Sequence, residues 1–176
     1  APFGPGEGAA VAALPSVAVA PDAVEPGVCE DIHAPEGSTL AFHAYARGSQ
    51  IYSWTGTKWQ FTGPSATLYA DAGGNGVVGS HYGGPTWELN SGALVVAEKH
   101  RSCDVDPADI PWLVLNVKRN EGPGVLQGVT HILRVNTAGG QAPAAGGSYV
   151  GEIRNVPYTA EYFFYRASME AIVGAR

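Results

Sequence analysis

The chain has 176 residues, of which 45% are hydrophobic and only 15% are charged, and this composition suits one domain with a substantial apolar core. Its net charge of −6, with ten Lys and Arg residues scattered along the chain, argues against nucleic acid and against an anionic membrane surface, because both require a basic patch. No apolar run approaches the ~20 residues of a membrane-spanning helix, so we predict no membrane span.

Residues 1–28 are rich in Ala, Val, Pro and Gly, and we predict that they form an extended arm. A segment of this kind buries too little surface to fold alone. We therefore expect it to dock on a sheet edge of its own or a neighbouring chain, through Leu14, Val17 and Val19. Docking on a neighbour would give an oligomer or a filament. Because the chain begins at Ala1 without a recognisable signal peptide, we expect a processed form.

Residues 29–176 predict a single all-β domain, either an antiparallel β-sandwich or a flattened barrel. Turn signals recur every 8 to 12 residues, a spacing typical of both architectures. Strand patterns occupy 38–48, 50–54, 58–63, 65–70, 76–82, 86–89, 93–100, 111–119, 128–137, 148–155 and 158–167. We also expect one helical turn at 106–111 and a short helix at 168–176.

Alternation along 38–48 predicts which side chains share a face. One face is expected to carry Leu40, Phe42, Ala44 and Ala46. The other face is expected to carry His43, Tyr45 and Arg47.

Gly74, Gly76 and Gly79 match the spacing of a dinucleotide-binding fingerprint. That fingerprint requires a helix opening at its third glycine, and here two more glycines and a proline follow. Asn75-Gly76 instead supplies the positive φ angles of a tight turn. We predict a β-hairpin and no nucleotide site.

The stretch "SHYGGPTWELNSG" (80–92) holds the tentative ligand-binding residues His81, Tyr82, Trp87 and Glu88. His81 and Glu88 can face each other across the Gly-Gly-Pro turn. Such a pair is either a general base or ligand arrangement or an ordinary cross-strand contact. The motif contains no nucleophile, so we predict a structural or ligand-binding role for His81 and no catalytic residue.

Aromatic side chains offer a second candidate binding surface, around Trp54 and Trp59 of another predicted hairpin, since Tyr and Trp on a β-surface can bind sugars or proteins. The histidines show no metal-ligand spacing, and we predict no metal and no cofactor. His131 shares a strand face with apolar residues and is expected to be a core histidine.

Cys29 and Cys103 are the two cysteines of the chain. They can form a disulfide that closes a loop of roughly 75 residues, worth about 4 kcal/mol, or remain two buried thiols. The composition resembles that of secreted proteins, which favours the disulfide and an extracytoplasmic location.

Four stretches together resemble a known family: "ARGSQIYSWTGTKWQF", "ATLYADAGGNGVVGSHYGGPTWE", "IPWLVLNVKRNEGPGVLQGVTHILRVNTAGGQAP" and "VPYTAEYFFY". The family is the domain of unknown function 3455, and the resemblance covers about residues 30–166. It implies an exported all-β domain and no established activity. Members often carry one cysteine at the position of Trp54 and another near Gly147; this chain lacks both, as expected if the two normally pair.

Three functions remain open at this stage. The leading expectation is a non-enzymatic interaction or assembly protein that uses the N-terminal arm and self-associates. The alternative is a binding module for a sugar, a metal ion or a small apolar molecule, built on the His81–Trp87–Glu88 hairpin. A hydrolase is third.

Overall fold

A computed structural model describes residues 29–167 and shows one antiparallel sheet that closes on itself. Each strand pairs with the next along the chain, and the last pairs with the first. The strands are β1 (Thr39–Trp54), β2 (Trp59–Tyr69), β3 (Val77–Tyr82), β4 (Thr86–Leu89), β5 (Leu94–Cys103), β6 (Trp112–Glu121), β7 (Val129–Gly139) and β8 (Ile153–Arg166). The all-β prediction is confirmed, and the closed ring corresponds to the flattened barrel. The arm with Leu14, Val17 and Val19 and the helix expected at 168–176 lie outside the described residues, and the domain boundary after residue 28 stays a prediction.

Two pairs of predicted strands are continuous in the structure. β1 spans both 38–48 and 50–54, and β2 spans both 58–63 and 65–70. A bulge makes this possible, because Ile51 pairs with Gly63 while Tyr52 pairs with Phe61, so Thr62 has no partner across the ladder.

Two expected elements differ from the structure. Residues 148–151 form a turn instead of a strand, and Gly151, with φ of 93°, donates its N–H to Trp54 O at 2.8 Å. Residues 106–111 form no helix: the Asp106 carboxylate accepts the Ala108 N–H at 2.9 Å, the Asx turn that an Asp-Pro sequence favours.

The predicted alternation of β1 holds for its central residues. Ala44 and Ala46 are fully buried inside the ring, together with part of Phe42. A second bulge, between Leu40 and Phe42, shifts the phase, so Leu40 packs outside the ring instead of within it.

A second apolar cluster covers the outer surface of β6, β7 and β8, and we call it the outer cluster. Its buried members are Ile32, Trp112, Val114, Leu133, Val135 and Phe163. Cys29 and Cys103 lie beside it at disulfide distance, with their Cα atoms 5.6 Å apart, the pairing favoured by the sequence. These three strands are therefore apolar on both faces, because the segment from Cys29 to Ile32 covers the outside.

The interior of the ring has two unlike ends. The closed end lies toward the β2–β3, β4–β5 and β6–β7 connections and is filled by apolar side chains, among them Leu68, Leu126, Ile132 and Phe164. The Asn120 side chain fixes the backbone at Leu126, one of these residues, by donating to the Leu126 carbonyl at 2.7 Å. The open end lies toward the other connections and contains a cavity.

The part of the chain that the structure describes contains no helix able to cross a membrane. Separately, the Cys29–Cys103 pair at disulfide distance is compatible with an extracellular protein.

Candidate ligand-binding cavity

A cavity of about 500 Å³ occupies the open end of the ring, a volume within the usual range of small-molecule sites. Its walls are mainly apolar and aromatic. The inward side chains of the strands supply Gln50, Tyr52, Pro64, His81, Trp87, Lys99, Leu113, Leu115, Arg134 and Tyr162. The interior of an eight-stranded ring is wide enough either to be filled by side chains or to hold one small ligand. Here apolar side chains fill only the closed end of the interior.

His81 lies on the cavity wall, and the hairpin brings it against Trp87. The two are direct cross-strand partners, and their rings stack with centroids 4.3 Å apart. Glu88 pairs instead with Ser80, on the outer face, where its carboxylate accepts the Tyr82 hydroxyl at 2.6 Å. The expected His81–Glu88 contact is therefore wrong, because the turn register places the two side chains on opposite faces of the sheet.

Burial sets the charge state of His81, and a hydrogen bond to Thr86 sets its tautomer. Loss of solvent lowers the pKa of His81 to about 3, more than the hydrogen bond to Thr86 raises it, and the charge of Arg134 lowers it further. The ring is thus neutral near pH 7. Nδ1 donates to the Thr86 carbonyl at 2.8 Å, which leaves the lone pair on Nε2.

Arg134 is the buried cation of the cavity. It points inward from β7, between Leu113 of β6 and Tyr162 of β8, and its side chain is only 9% exposed. Nε and Nη2 donate to the Pro111 carbonyl at 3.1 and 2.8 Å. None of the ion pairs between residues 29 and 167 includes Arg134.

The positive charge of Arg134 lowers the pKa of several polar side chains around it. Burial raises the pKa of the Tyr52, Tyr158 and Tyr162 hydroxyls, and Arg134 opposes that rise at each of them. All three tyrosines therefore stay neutral at ordinary pH and serve as hydrogen-bonding groups near the guanidinium.

Two buried polar atoms on the cavity wall have no hydrogen-bond partner among the described residues. They are Trp87 Nε1, a donor, and Gln50 Oε1, an acceptor. Buried polar groups are nearly always paired in folded proteins. Both residues line the cavity with other atoms, while these two polar atoms are themselves buried.

The mouth of the cavity is formed in part by the β5–β6 connection. Thr137 donates to the Ile110 carbonyl, the Asp109 carboxylate accepts the Gly139 N–H at 2.7 Å, and Gln141 donates to the Asp109 carbonyl at 2.8 Å. These bonds fasten the loop to β7, so the rim is built by ordered backbone.

Trp54 and Trp59 do not line the cavity, although each lies two residues from a wall residue, Tyr52 or Phe61, and they pair with each other at the tip of the β1–β2 hairpin. Trp59 donates its indole N–H to the Ala145 carbonyl at 2.9 Å. Trp54 packs on Gly147, where an added Cβ would lie 2.9 Å from the Trp54 Cβ. The two positions at which family members often carry cysteines are thus neighbours, and here a large indole occupies the space.

Of the tentative binding residues, the structure places His81 and Trp87 on the cavity wall and leaves Tyr82, Glu88, Trp54 and Trp59 away from it. The residues that sequence reasoning missed are Gln50, Tyr52, Arg134 and Tyr162. The sequence signal for Arg134 was its position in "ILRVN", directly between the apolar residues Leu133 and Val135 of a predicted strand. Between residues 29 and 167, no three His, Cys, Asp or Glu side chains converge as a metal site.

Comparison with known proteins gives one match. A model for the family described as "Protein of unknown function (DUF3455)" matches residues 35–166. Neither the search of curated proteins nor the search of solved structures found a match. Because the family model covers most of the chain, this protein belongs to the DUF3455 family of unknown function.

Proposed function

We propose that the protein binds one small, largely apolar or aromatic molecule inside the ring. The observation that carries this proposal is the cavity of about 500 Å³ at the open end. A fold that fills one end of its interior with side chains can fill the other end equally well, and an unfilled interior costs stability. Binding is a function that uses such a space.

The chemistry of the wall supports a binding role more than a catalytic one. Apolar and aromatic surface predominates, and a few polar groups face the interior, the usual composition of a small-molecule site. His81 is stacked and neutral, and its Nδ1 is engaged by the Thr86 carbonyl. No carboxylate of the described residues lines the cavity to orient the ring, as a general base would require.

We further propose that the protein works outside the cytoplasm. The Cys29–Cys103 pair supports this location, because disulfides persist mainly in oxidising compartments. Recovery of the oxidised protein from the exported fraction of its host cells would test it.

Binding can be tested with the neutral fluorophore N-phenyl-1-naphthylamine, whose emission rises in apolar surroundings. We expect saturable binding with a stoichiometry of about one. Leu113→Trp should weaken the binding at least about tenfold, because Leu113 lines the cavity and the larger ring occupies part of it.

The matched control is Ile153→Trp, since Ile153 is 55% exposed and lies outside the cavity wall. This variant should bind the fluorophore as the unaltered protein does. Near-ultraviolet circular dichroism of both variants would establish that they are folded. Absence of saturable binding to the unaltered protein, or equal affinities in the two variants, would refute the proposal.

A further inference from the structure

We infer that the cavity selects a small carboxylic acid in its ionised form, with Arg134 binding the carboxylate and the aromatic walls holding an apolar body. This inference rests on the proposed function and names the class of its ligand. It depends on what surrounds the side chain of Arg134.

The first observation is an uncompensated charge. A guanidinium is protonated at any ordinary pH, and a buried charge normally has a charged partner. Arg134 is nine-tenths buried, and its hydrogen-bond acceptors are neutral groups, the Pro111 carbonyl and the Tyr162 hydroxyl. No described carboxylate lines the cavity into which it points.

The second observation is the number of donors that remain. A guanidinium has five N–H groups, and Nη1 is not used by the Pro111 carbonyl. The planar fork of Arg suits two-point contact with a carboxylate.

The third observation is the sign of the net charge on the cavity lining. Its ionisable cations are Arg134 inside and Lys99 nearer the exposed surface, and His81 is neutral. An interior with positive charge and no negative charge attracts anions and rejects cations. The protein as a whole carries a net charge of −6, so this preference is a local property of the cavity and not of the overall surface.

The test compares two compounds of nearly equal shape, 4-phenylbutyrate and 4-phenylbutyramide, as competitors of N-phenyl-1-naphthylamine. We expect the unaltered protein to bind the carboxylate at least about tenfold more tightly than the amide, the usual scale of a buried charge-assisted hydrogen bond. Arg134→Met should bring the two affinities within about threefold of each other, while the neutral fluorophore still binds. Lys118→Met, which removes an exposed cation outside the cavity lining, should leave the preference in place.

Each outcome bears on the inference separately from the proposed function. If the fluorophore binds and the unaltered protein does not distinguish acid from amide, the inference fails while the binding function stands. A preference that survives Arg134→Met, or that disappears in Lys118→Met, also overturns it. The comparison on the unaltered protein needs no variant to fold, and Arg134→Gln provides a second, polar replacement if the Met variant is unstable.

Discussion

The two ends of the ring interior are built from the same strands. They differ in the side chains that those strands direct inward. On β7, Ile132 belongs to the closed end and Arg134 to the open end; on β1, Ala44 gives way to Gln50 and Tyr52. The side chains of the closed end are fully buried against one another, whereas the open end keeps a cavity. The two halves of one ring therefore differ in packing, and the proposed binding function would use only the open half.

Removal of the disulfide should have the largest effect, and it should affect both halves together. Cys29→Ser with Cys103→Ser frees a loop with a sequence separation of 74 residues, so we expect a loss of about 4 kcal/mol of unfolding free energy. Urea denaturation measures this. Mass spectrometry without reductant should first show the native chain lighter by two hydrogens, and two thiols that react with an alkylating agent would contradict the bridge.

A matched pair of truncations compares the two halves directly. Leu68→Ala at the closed end should cost about 3 kcal/mol, because Leu68 is fully buried and the cavity left behind is new. Leu113→Ala should cost only about 1 kcal/mol, because Leu113 already faces open space and is half-buried. Urea denaturation of both variants measures the difference, and equal losses would show that the open end is packed as tightly as the closed end.

The pH dependence of stability should identify the buried histidine of the open end. The folded-state pKa of His81, about 3, lies below its ordinary 6.5, so the unfolded chain takes up the proton first as the pH falls. Unfolding free energy should therefore decrease below pH 6.5 by up to about 1.4 kcal/mol per pH unit. His81→Gln should flatten the profile between about pH 6.5 and pH 5, and the exposed His33→Gln should not; parallel profiles for the unaltered protein and His81→Gln would contradict the assignment.

The smallest effect on the barrel is expected from deletion of residues 1–24. Binding of N-phenyl-1-naphthylamine should stay within about twofold, since the ring itself supplies the described wall of the cavity, from Gln50 to Tyr162. Light scattering tests the separate prediction of assembly through the arm. Large species formed only by the full chain would support assembly, and monomers in both cases at high concentration would eliminate it.

Much of the fold was predictable because its signals are local. Period-two alternation marked the strands, and Asn75-Gly76 marked the β2–β3 hairpin. Gly76 there has the predicted positive φ, 70°, but the second positive φ, 82°, belongs to Gly74 and not to Asn75. The closing of the ring was not predictable in this way. It depends on β1 pairing with β8, and nothing local to either strand specifies a partner so far along the chain.

The binding site was less predictable than the fold, for two physical reasons. In β7 both faces are apolar, because the outer cluster covers Leu133 and Val135 while Ile132 faces inward, so alternation does not reveal that Arg134 points into the barrel. In the β3–β4 hairpin, Glu88 lies one residue beyond the partner of His81. A shift of one residue moves a side chain to the other face, and the register was not evident from the turn residues alone.

The longest ladder of the sheet, between β1 and β8, also governs how the protein can reach its native state. Thr39 pairs with Arg166, so nearly all of the described chain must be synthesised before the ring can close. Folding dominated by such distant pairings is slow, and the unpaired edges of β1 and β8 are exposed to aggregation until then. Ring closure is therefore expected to be a late event, after β8 has emerged from the ribosome, and a chain truncated before β8 should remain an open sheet that is prone to aggregation.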